Sequence, residues 1–481
     1  MDIKRNLTLL TDFYEITMGN SFFTNGKKDV IGYFDLFFRD NPDNGGYAIM
    51  AGVQQVIEYL ENLKFDDEDI EYLRKKNMFN EEFLEYLRNF KFSCSVWAVE
   101  EGTPIFPYEP ILVVKGPMIQ AQLIETMLLV TINHQSLIAT KASRIVQASQ
   151  GRAVMEFGAR RAQGYDAAIY GARAAFIAGC VGTSCTIADE LFDIPALGTM
   201  GHSFIQLFDS ELEAFRAYAR TYPDKCVLLV DTYNVLKSGV PNAIKVFKEE
   251  VVQRGYRPVG IRIDSGDIAY LSAEARKMLD EAGFPDCKIV ASNSLDEYII
   301  RDLISQGAQI DQFGVGERLI TAKSSPVFGG VYKLAAIEEN GTIVPKIKIS
   351  ENIAKITNPG FKQVYRFYDE STNKALADVI ALHDEVIPEN GPYEIFDPIS
   401  PWKRKTLTNY KLRKLLVPIF IDGKCVYKSP TLKELQARCK FELSTLWDSV
   451  LRFENPHQYY VDLSKPLWDL KNEMIYTHSL K

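Results

Sequence analysis

The sequence contains no CxxC pair, and its seven cysteines (Cys94, Cys180, Cys185, Cys226, Cys287, Cys425 and Cys439) are an odd number. That pattern argues against a disulfide framework and a paired-cysteine zinc site. It fits reduced thiols, most of them buried as small hydrophobes, in a cytoplasmic enzyme. No apolar run approaches the ~20 residues that span a bilayer, so no membrane partner is expected. The opening MDIKRNLTLLTDFYEITMGN places Asp12 and Glu15 where a signal peptide keeps its apolar stretch. Basic charge is not in excess either. With 55 Lys and Arg against 63 Asp and Glu the net charge is −8. This argues against a nucleic-acid footprint over the whole protein but leaves room for a local phosphate pocket. There is no fixed-period repeat and no low-complexity linker. What remains is an ordinary globular composition of 481 residues, 46% hydrophobic and 25% charged, long enough for about three domains.

Three stretches differ in pattern. Residues 1–118 read as a mixed α/β domain. DVIGYFDLFFR is strand-like, GVQQVIEYLENL and EEFLEYLRNF are amphipathic helices, and VWAVEEGTPIFPYEPILVVKG reads as paired strands around Gly102–Pro104. Residues 119–342 open with a helix expected over 119–149, where Leu123, Met127, Val130 and Leu137 recur at helical spacing. Short apolar runs then alternate with helix-sized segments: AVMEFG, CVGTS, ALGTMG, CVLLVDTY, VGIRIDSGD, KIVASNS and IDQFGVGE. This alternation predicts an α/β fold whose seven parallel strands end near Phe157, Thr183, Gly201, Thr232, Asp264, Ser292 and Gly314. The strands could close into a TIM-like barrel or stay open as a doubly wound sheet, and a barrel is favoured. No GxGxxG follows any strand, so a Rossmann dinucleotide site is not expected. Residues 343–481 are less regular and lysine-rich in places. They read as packing that completes the N-terminal domain or a subunit contact.

In parallel α/β architectures, active sites collect at the C-terminal strand ends. Polar residues crowd there: Glu156, Arg160–Arg161, Gly182–Ser184, Thr199–His202, Asp231, Arg262, Asp264, Asp267, Ser292–Ser294, Gly314 and Gly316–Arg318. Helix N-capping explains any one of them, but not the whole ring. IRIDSGD puts Arg262 beside Asp264 and Asp267, a set suited to a phosphate together with hydroxyls or a magnesium ion. The Gly-flanked loop FGVGER could cradle a phosphate on backbone N–H groups. Among five histidines, His202 alone sits at a strand end, where an imidazole can be a nucleophile or a general acid/base. His134 reads as a hydrogen-bonded core residue, and His457 and His478 as surface. Nothing pairs with His202 at zinc-ligand spacing.

The ordered segments LLTDFYEITM, EPILVVKGP, EFGARRAQG, GCVGTS, GTMGHSF, LLVDTYN, GIRIDSGD, ASNSLDE and FGVGERL resemble nicotinate phosphoribosyltransferase, over about residues 7–335 and more weakly beyond. The resemblance implies an irregular seven-stranded α/β barrel, a mixed domain from the chain ends and a homodimer with shared sites. The activity it implies joins nicotinate to phosphoribosyl pyrophosphate for NAD salvage, with Mg2+. The resemblance also implies coupling to ATP hydrolysis through a phosphohistidine at His202, which would give the reaction its ligase class. By the same matching, Tyr14, supplied by the neighbouring subunit, and Phe157 sandwich the pyridine ring. Arg160, Thr199 and Arg262 border the nicotinate and phosphoribosyl sites. Asp264 holds the ribose hydroxyls, Asp231 and Asp267 lie toward magnesium and pyrophosphate, and Ser292, Asn293, Gly314 and Gly316 take the 5′-phosphate. Where nicotinamide-using relatives carry GTD, this chain has Gly182–Thr183–Ser184. Lack of that aspartate removes repulsion of a carboxylate ligand. Glu317 departs from a small hydroxyl residue found in some relatives. A nicotinamide-specific relative and a phosphosugar-binding barrel of other activity are the alternatives.

Overall fold

The computed structural model describes residues 6–352 and 355–479, which fall into two compact units, residues 1–137 with 327–481 and residues 138–326. The sequence pattern placed these boundaries at 118/119 and 342/343. The difference has a simple cause. Val331–Glu339 and Thr342–Pro345 join the N-terminal sheet, the former pairing antiparallel with Ile31–Phe37. The helix expected over 119–149 is broken at Ile124 into Met118–Leu123 and Glu125–Ala148.

The first unit begins with helix α1 (Phe13–Thr24), and its last segment before the boundary is carried by helix α2 (Glu125–Ala148). It contains a seven-stranded sheet in which Leu112–Pro117 pairs with Ser95–Val99, as the sequence predicts, and Leu416–Ile421 adds beyond it. The irregular C-terminal stretch is more ordered than its sequence predicts. Tyr410–Lys414, Lys362–Asp369, Ala375–Leu382 and Val461–Leu463 form a four-stranded sheet in that order. Arg366 and Asp378 face each other in its register, both fully buried. Arg366 Nε donates to Asp378 Oδ1 at 2.8 Å and Nη2 to Oδ2 at 2.6 Å, while the Tyr459 hydroxyl donates to Oδ1 at 2.9 Å. Removing one partner strands a buried charge. Asp378→Ala is therefore expected to destabilise the protein by about 3–5 kcal/mol, read as a shift of the urea unfolding midpoint.

The second unit holds a six-stranded parallel sheet: β1 (Ala153–Glu156), β2 (Gly182–Thr183), β3 (Val227–Leu229), β4 (Gly260–Ile263), β5 (Lys288–Ser292) and β6 (Gln312–Val315), in the order β2-β1-β6-β5-β4-β3. The third expected strand, ALGTMG, does not form one. It contributes a single parallel bridge, Thr183 to Ala196, braced by the Leu197 N–H donating to the Thr183 carbonyl at 2.7 Å. Beneath the sheet a core of Leu228, Leu229, Ile261, Ile263, Phe215, Phe247 and Ile289 excludes water, and burial of such side chains contributes roughly 1.5–3 kcal/mol each. All seven thiols are free. Among the described residues, no helix is long and apolar enough to cross a membrane.

Candidate active site

The C-terminal ends of the parallel strands converge a set of polar groups from every strand of the second unit. At the end of β1, Glu156 is fully buried, and burial pushes its carboxyl above the ordinary range. Its Oε2 accepts from Thr183 Oγ1 at 2.6 Å and its Oε1 from the Gly158 N–H, so one acid ties together the exits of β1 and β2. Thr183 is thus committed to the scaffold, while Ser184 beside it is exposed. Phe157 follows directly, with its N–H donating to the Val315 carbonyl at 2.7 Å. A Cβ at Gly314 would lie 2.6 Å from the Phe157 ring, and one at Gly316 3.0 Å from the Phe157 carbonyl oxygen. Gly314 thus leaves room for the Phe157 ring beside β6, and Gly316 for the Phe157 main chain. Arg160 stands exposed in the turn that follows.

From β4, Arg262 reaches the segment before His202. Its Nη1 donates to Thr199 Oγ1 at 3.0 Å and its Nη2 to the Met200 carbonyl at 3.1 Å, leaving the buried Nε without a partner. Burial lowers this guanidinium's pKa, against the pull of Asp264 and Asp231. Asp231, just past β3, is buried. Its Oδ2 accepts from the Asp264 N–H at 3.2 Å and from Ser265 Oγ at 2.5 Å, while Oδ1 has no hydrogen-bond partner. The Asp264 carboxylate accepts from Ser292 Oγ at the exit of β5 and remains about one-third exposed. Asp267 caps helix α4 (Ile268–Glu281) by accepting from the Tyr270 N–H at 3.2 Å. Asn293 and Ser294 both take left-handed backbone conformations, at φ 79° and 52°.

His202 opens the five-residue helix α3 (His202–Gln206). Its Nδ1 lies 3.1 Å from Thr232 Oγ1, and its Nε2 lies 4.0 Å from Asp231 Oδ1 and 3.9 Å from Asp264 Oδ2. Two carboxylates facing Nε2 favour the proton on that nitrogen, which leaves the Nδ1 lone pair toward the Thr232 hydroxyl. Histidine, two acids and arginine thus meet across the exits of β3 and β4. Models described as the nicotinate phosphoribosyltransferase N-terminal domain, the family itself and the C-terminal domain match residues 9–133, 152–379 and 361–471. A nicotinate phosphoribosyltransferase from Bacillus subtilis (strain 168) is 46% identical over 98% of this chain and 96% of its own. The chain belongs to the nicotinate phosphoribosyltransferase family.

A human nicotinate phosphoribosyltransferase is 30% identical over 97% of this chain and 96% of its own. The crystal structure of human nicotinic acid phosphoribosyltransferase matches with a TM-score of 0.87 at 29% identity, covering 97% of this chain and all of that one. A nicotinate-nucleotide pyrophosphorylase from Pyrococcus furiosus shares the fold at a TM-score of 0.71 and 23% identity. Among the nicotinate phosphoribosyltransferase residues expected from sequence, His202, Asp231, Asp264, Arg262, Thr199 and Ser292 are joined by hydrogen bonds or close approach in the second unit. Phe157, Gly314 and Gly316 form a neighbouring contact group. Tyr14 lies in the first unit, on α1. Two residues escaped the sequence reading, Thr232 against His202 and Ser265 against Asp231. Both directly adjoin strand-end acids in VDTYN and DSGD, and that adjacency was the available signal. Glu317 turns away to Lys323, 2.7 Å from its Nζ, and Arg318 pairs with Asp296. His134 is half-buried as expected for a core residue, but its Nε2 has no hydrogen-bond partner.

Proposed function

We propose that this chain joins nicotinate to 5-phosphoribosyl 1-pyrophosphate, giving nicotinate mononucleotide and pyrophosphate in NAD salvage, with ATP hydrolysis coupled through phosphorylation of His202. The observation that carries this reading is His202 held by Thr232 with its second nitrogen facing Asp231 and Asp264. In the transfer, the pyridine nitrogen forms a bond to ribose C1 while the C1–oxygen bond to pyrophosphate breaks, and positive charge develops on the sugar. The Asp264 carboxylate is placed to hold ribose hydroxyls and offset that charge. Arg262, with a buried donor unpartnered, suits a carboxylate or phosphate oxygen. Ser292, Asn293, Gly314 and Gly316 line the exits of β5 and β6, where the 5′-phosphate would lie, and Arg160 flanks Phe157 beside the pyridine.

Among the described residues no cluster of three His, Cys, Asp or Glu ligands exists. Magnesium commonly needs only one or two carboxylates once substrate phosphates complete its shell. The partnerless buried Asp231 Oδ1, just past β3, fits that role, and Asp267, on the loop after β4, is the second candidate. The ion would supply neutralisation of pyrophosphate charge. The segment between β2 and β3 supports a barrel. The bridge at Ala196 lies beside β2 at one sheet edge, and His202 contacts Thr232 after β3 at the other. A stave running between those edges would close the sheet into an irregular seven-membered barrel, the architecture we infer.

Substrate choice follows from Ser184. Its exposed hydroxyl leaves no negative charge against a carboxylate ligand. Nicotinate is expected to be used and nicotinamide not, and Ser184→Asp should lower kcat/KM for nicotinate by about tenfold or more. Measuring kcat/KM for both bases with both proteins checks this, and comparable use of nicotinamide by the unaltered enzyme would contradict it.

The protein is further read as a cytoplasmic homodimer in which Tyr14 of one subunit stacks on the pyridine held by the other. Stacking adds about 0.5–1.5 kcal/mol beyond area burial, so Tyr14→Ala should raise the nicotinate KM about tenfold. Mixing Tyr14→Ala subunits with inactive His202→Ala, Asp264→Asn subunits should restore normal nicotinate affinity to part of the population. No recovery despite verified subunit exchange would mean that Tyr14 serves its own chain.

A further inference from the structure

At the start of α1 the usual order of burial is reversed. Glu15 is fully buried, whereas Leu10, Phe13 and Tyr14 are 42%, 42% and 44% exposed. Hydrogen bonds between residues more than a hundred positions apart hold this inversion. The Asp12 N–H donates to Thr126 Oγ1 at 3.0 Å, and that hydroxyl donates to Glu15 Oε1 at 2.6 Å. The Thr11 hydroxyl donates to Glu15 Oε2 and lies 3.2 Å from the Leu123 carbonyl oxygen. Tyr14 itself is tied by its far end: its hydroxyl donates to Glu125 Oε2 at 2.9 Å, an oxygen that also accepts from Gln122 Nε2 at 2.5 Å. Glu125 is the first residue of α2, so the acceptor is fixed to a long helix. Burial, together with the bond to Glu125, raises the pKa of the Tyr14 phenol, so it keeps the proton it donates.

An aromatic side chain has two rotatable angles. Tying its only polar atom to a rigid acceptor removes most of their freedom while leaving the ring available for stacking. The entropy of ordering such a side chain is then not lost again when a ligand arrives. We propose that Glu125 is a positioning residue that holds the Tyr14 ring as a preformed stacking wall for the pyridine of nicotinate, an inference that rests on the reading of Tyr14 given above.

The test is steady-state kinetics on the full-length enzyme carrying Tyr14→Ala, Tyr14→Phe, Glu125→Ala, Glu125→Gln, or Tyr14→Phe with Glu125→Ala. Tyr14→Phe keeps the ring and removes the bond at an exposed position, so folding is not at stake. Tyr14→Phe and Glu125→Ala should each raise the nicotinate KM about fivefold, with kcat and the phosphoribosyl pyrophosphate KM unchanged. Glu125→Gln, which still offers an acceptor oxygen, should restore most of the affinity. Because both single changes cut one bond, the double variant should be no worse than either alone. Additive losses, or wild-type behaviour of Tyr14→Phe while Tyr14→Ala is impaired, would overturn the role of Glu125. A Tyr14→Ala enzyme with unchanged nicotinate KM would instead remove the stacking role of Tyr14, and this inference with it.

Discussion

His202→Ala is expected to carry no acid-labile phosphate after incubation with γ-labelled ATP, and to lose the ATP stimulation of nucleotide formation entirely. Among the described residues, His202 is the imidazole placed at the exits of the parallel strands, with Thr232 on one nitrogen and Asp231 and Asp264 facing the other. The remaining histidines lie elsewhere, His134 on α2 and His383, His457 and His478 in the first unit. Carboxylates beside a protonated nitrogen raise the nucleophilicity of its ring partner, as in other acid-oriented histidines. Slow, ATP-independent transfer would survive, because the acids and arginine proposed to hold the sugar remain. Persistent labelled phosphate in the variant would move the modified residue elsewhere.

The second large effect separates two acids that look alike in sequence. Asp264→Asn should lower kcat by about 10²–10³-fold, the range for loss of one preorganised electrostatic contact to a developing charge. Asp231→Asn should cost about tenfold less than that. The asymmetry comes from their bonds. Asp231 uses Oδ2 to brace the Asp264 N–H and Ser265 Oγ, and an asparagine oxygen still accepts both. Asp264 keeps exposed carboxylate surface for a substrate hydroxyl, and asparagine abolishes the charge there. Single-turnover rates with saturating substrates would show this ranking, and equal mild losses would sink the role given to Asp264.

Much of the site was legible because strand exits announce themselves locally. An apolar run that ends in Asp, Ser, Thr or Gly before a helical pattern marks both the strand and its polar rim, which is how Asp231, Asp264, Ser292 and Gly314 were found. What depends on pairing across the chain was not legible. The segment at Ala196 has a strand's composition, yet only one bridge forms because β2 beside it is just two residues long. Thr232 adjoins a strand-end acid in sequence, but its partner His202, thirty residues earlier, is set only by the fold. The C-terminal sheet was hidden for another reason. Arg366 and Asp378 interrupt the apolar alternation of their strands, and only the register sets them against each other inside the core. Buried charge that is paired costs far less than buried charge alone, and one strand read by itself does not reveal the pair.

The most direct test of the account is product analysis with the unaltered enzyme, nicotinate, phosphoribosyl pyrophosphate and Mg2+, with and without ATP, quantifying nicotinate mononucleotide, pyrophosphate and ADP in the same reaction. Nicotinate mononucleotide and pyrophosphate should appear in equal amounts, formed faster with ATP and accompanied by ADP. Formation of no nicotinate mononucleotide under either condition, by a folded enzyme, would contradict it.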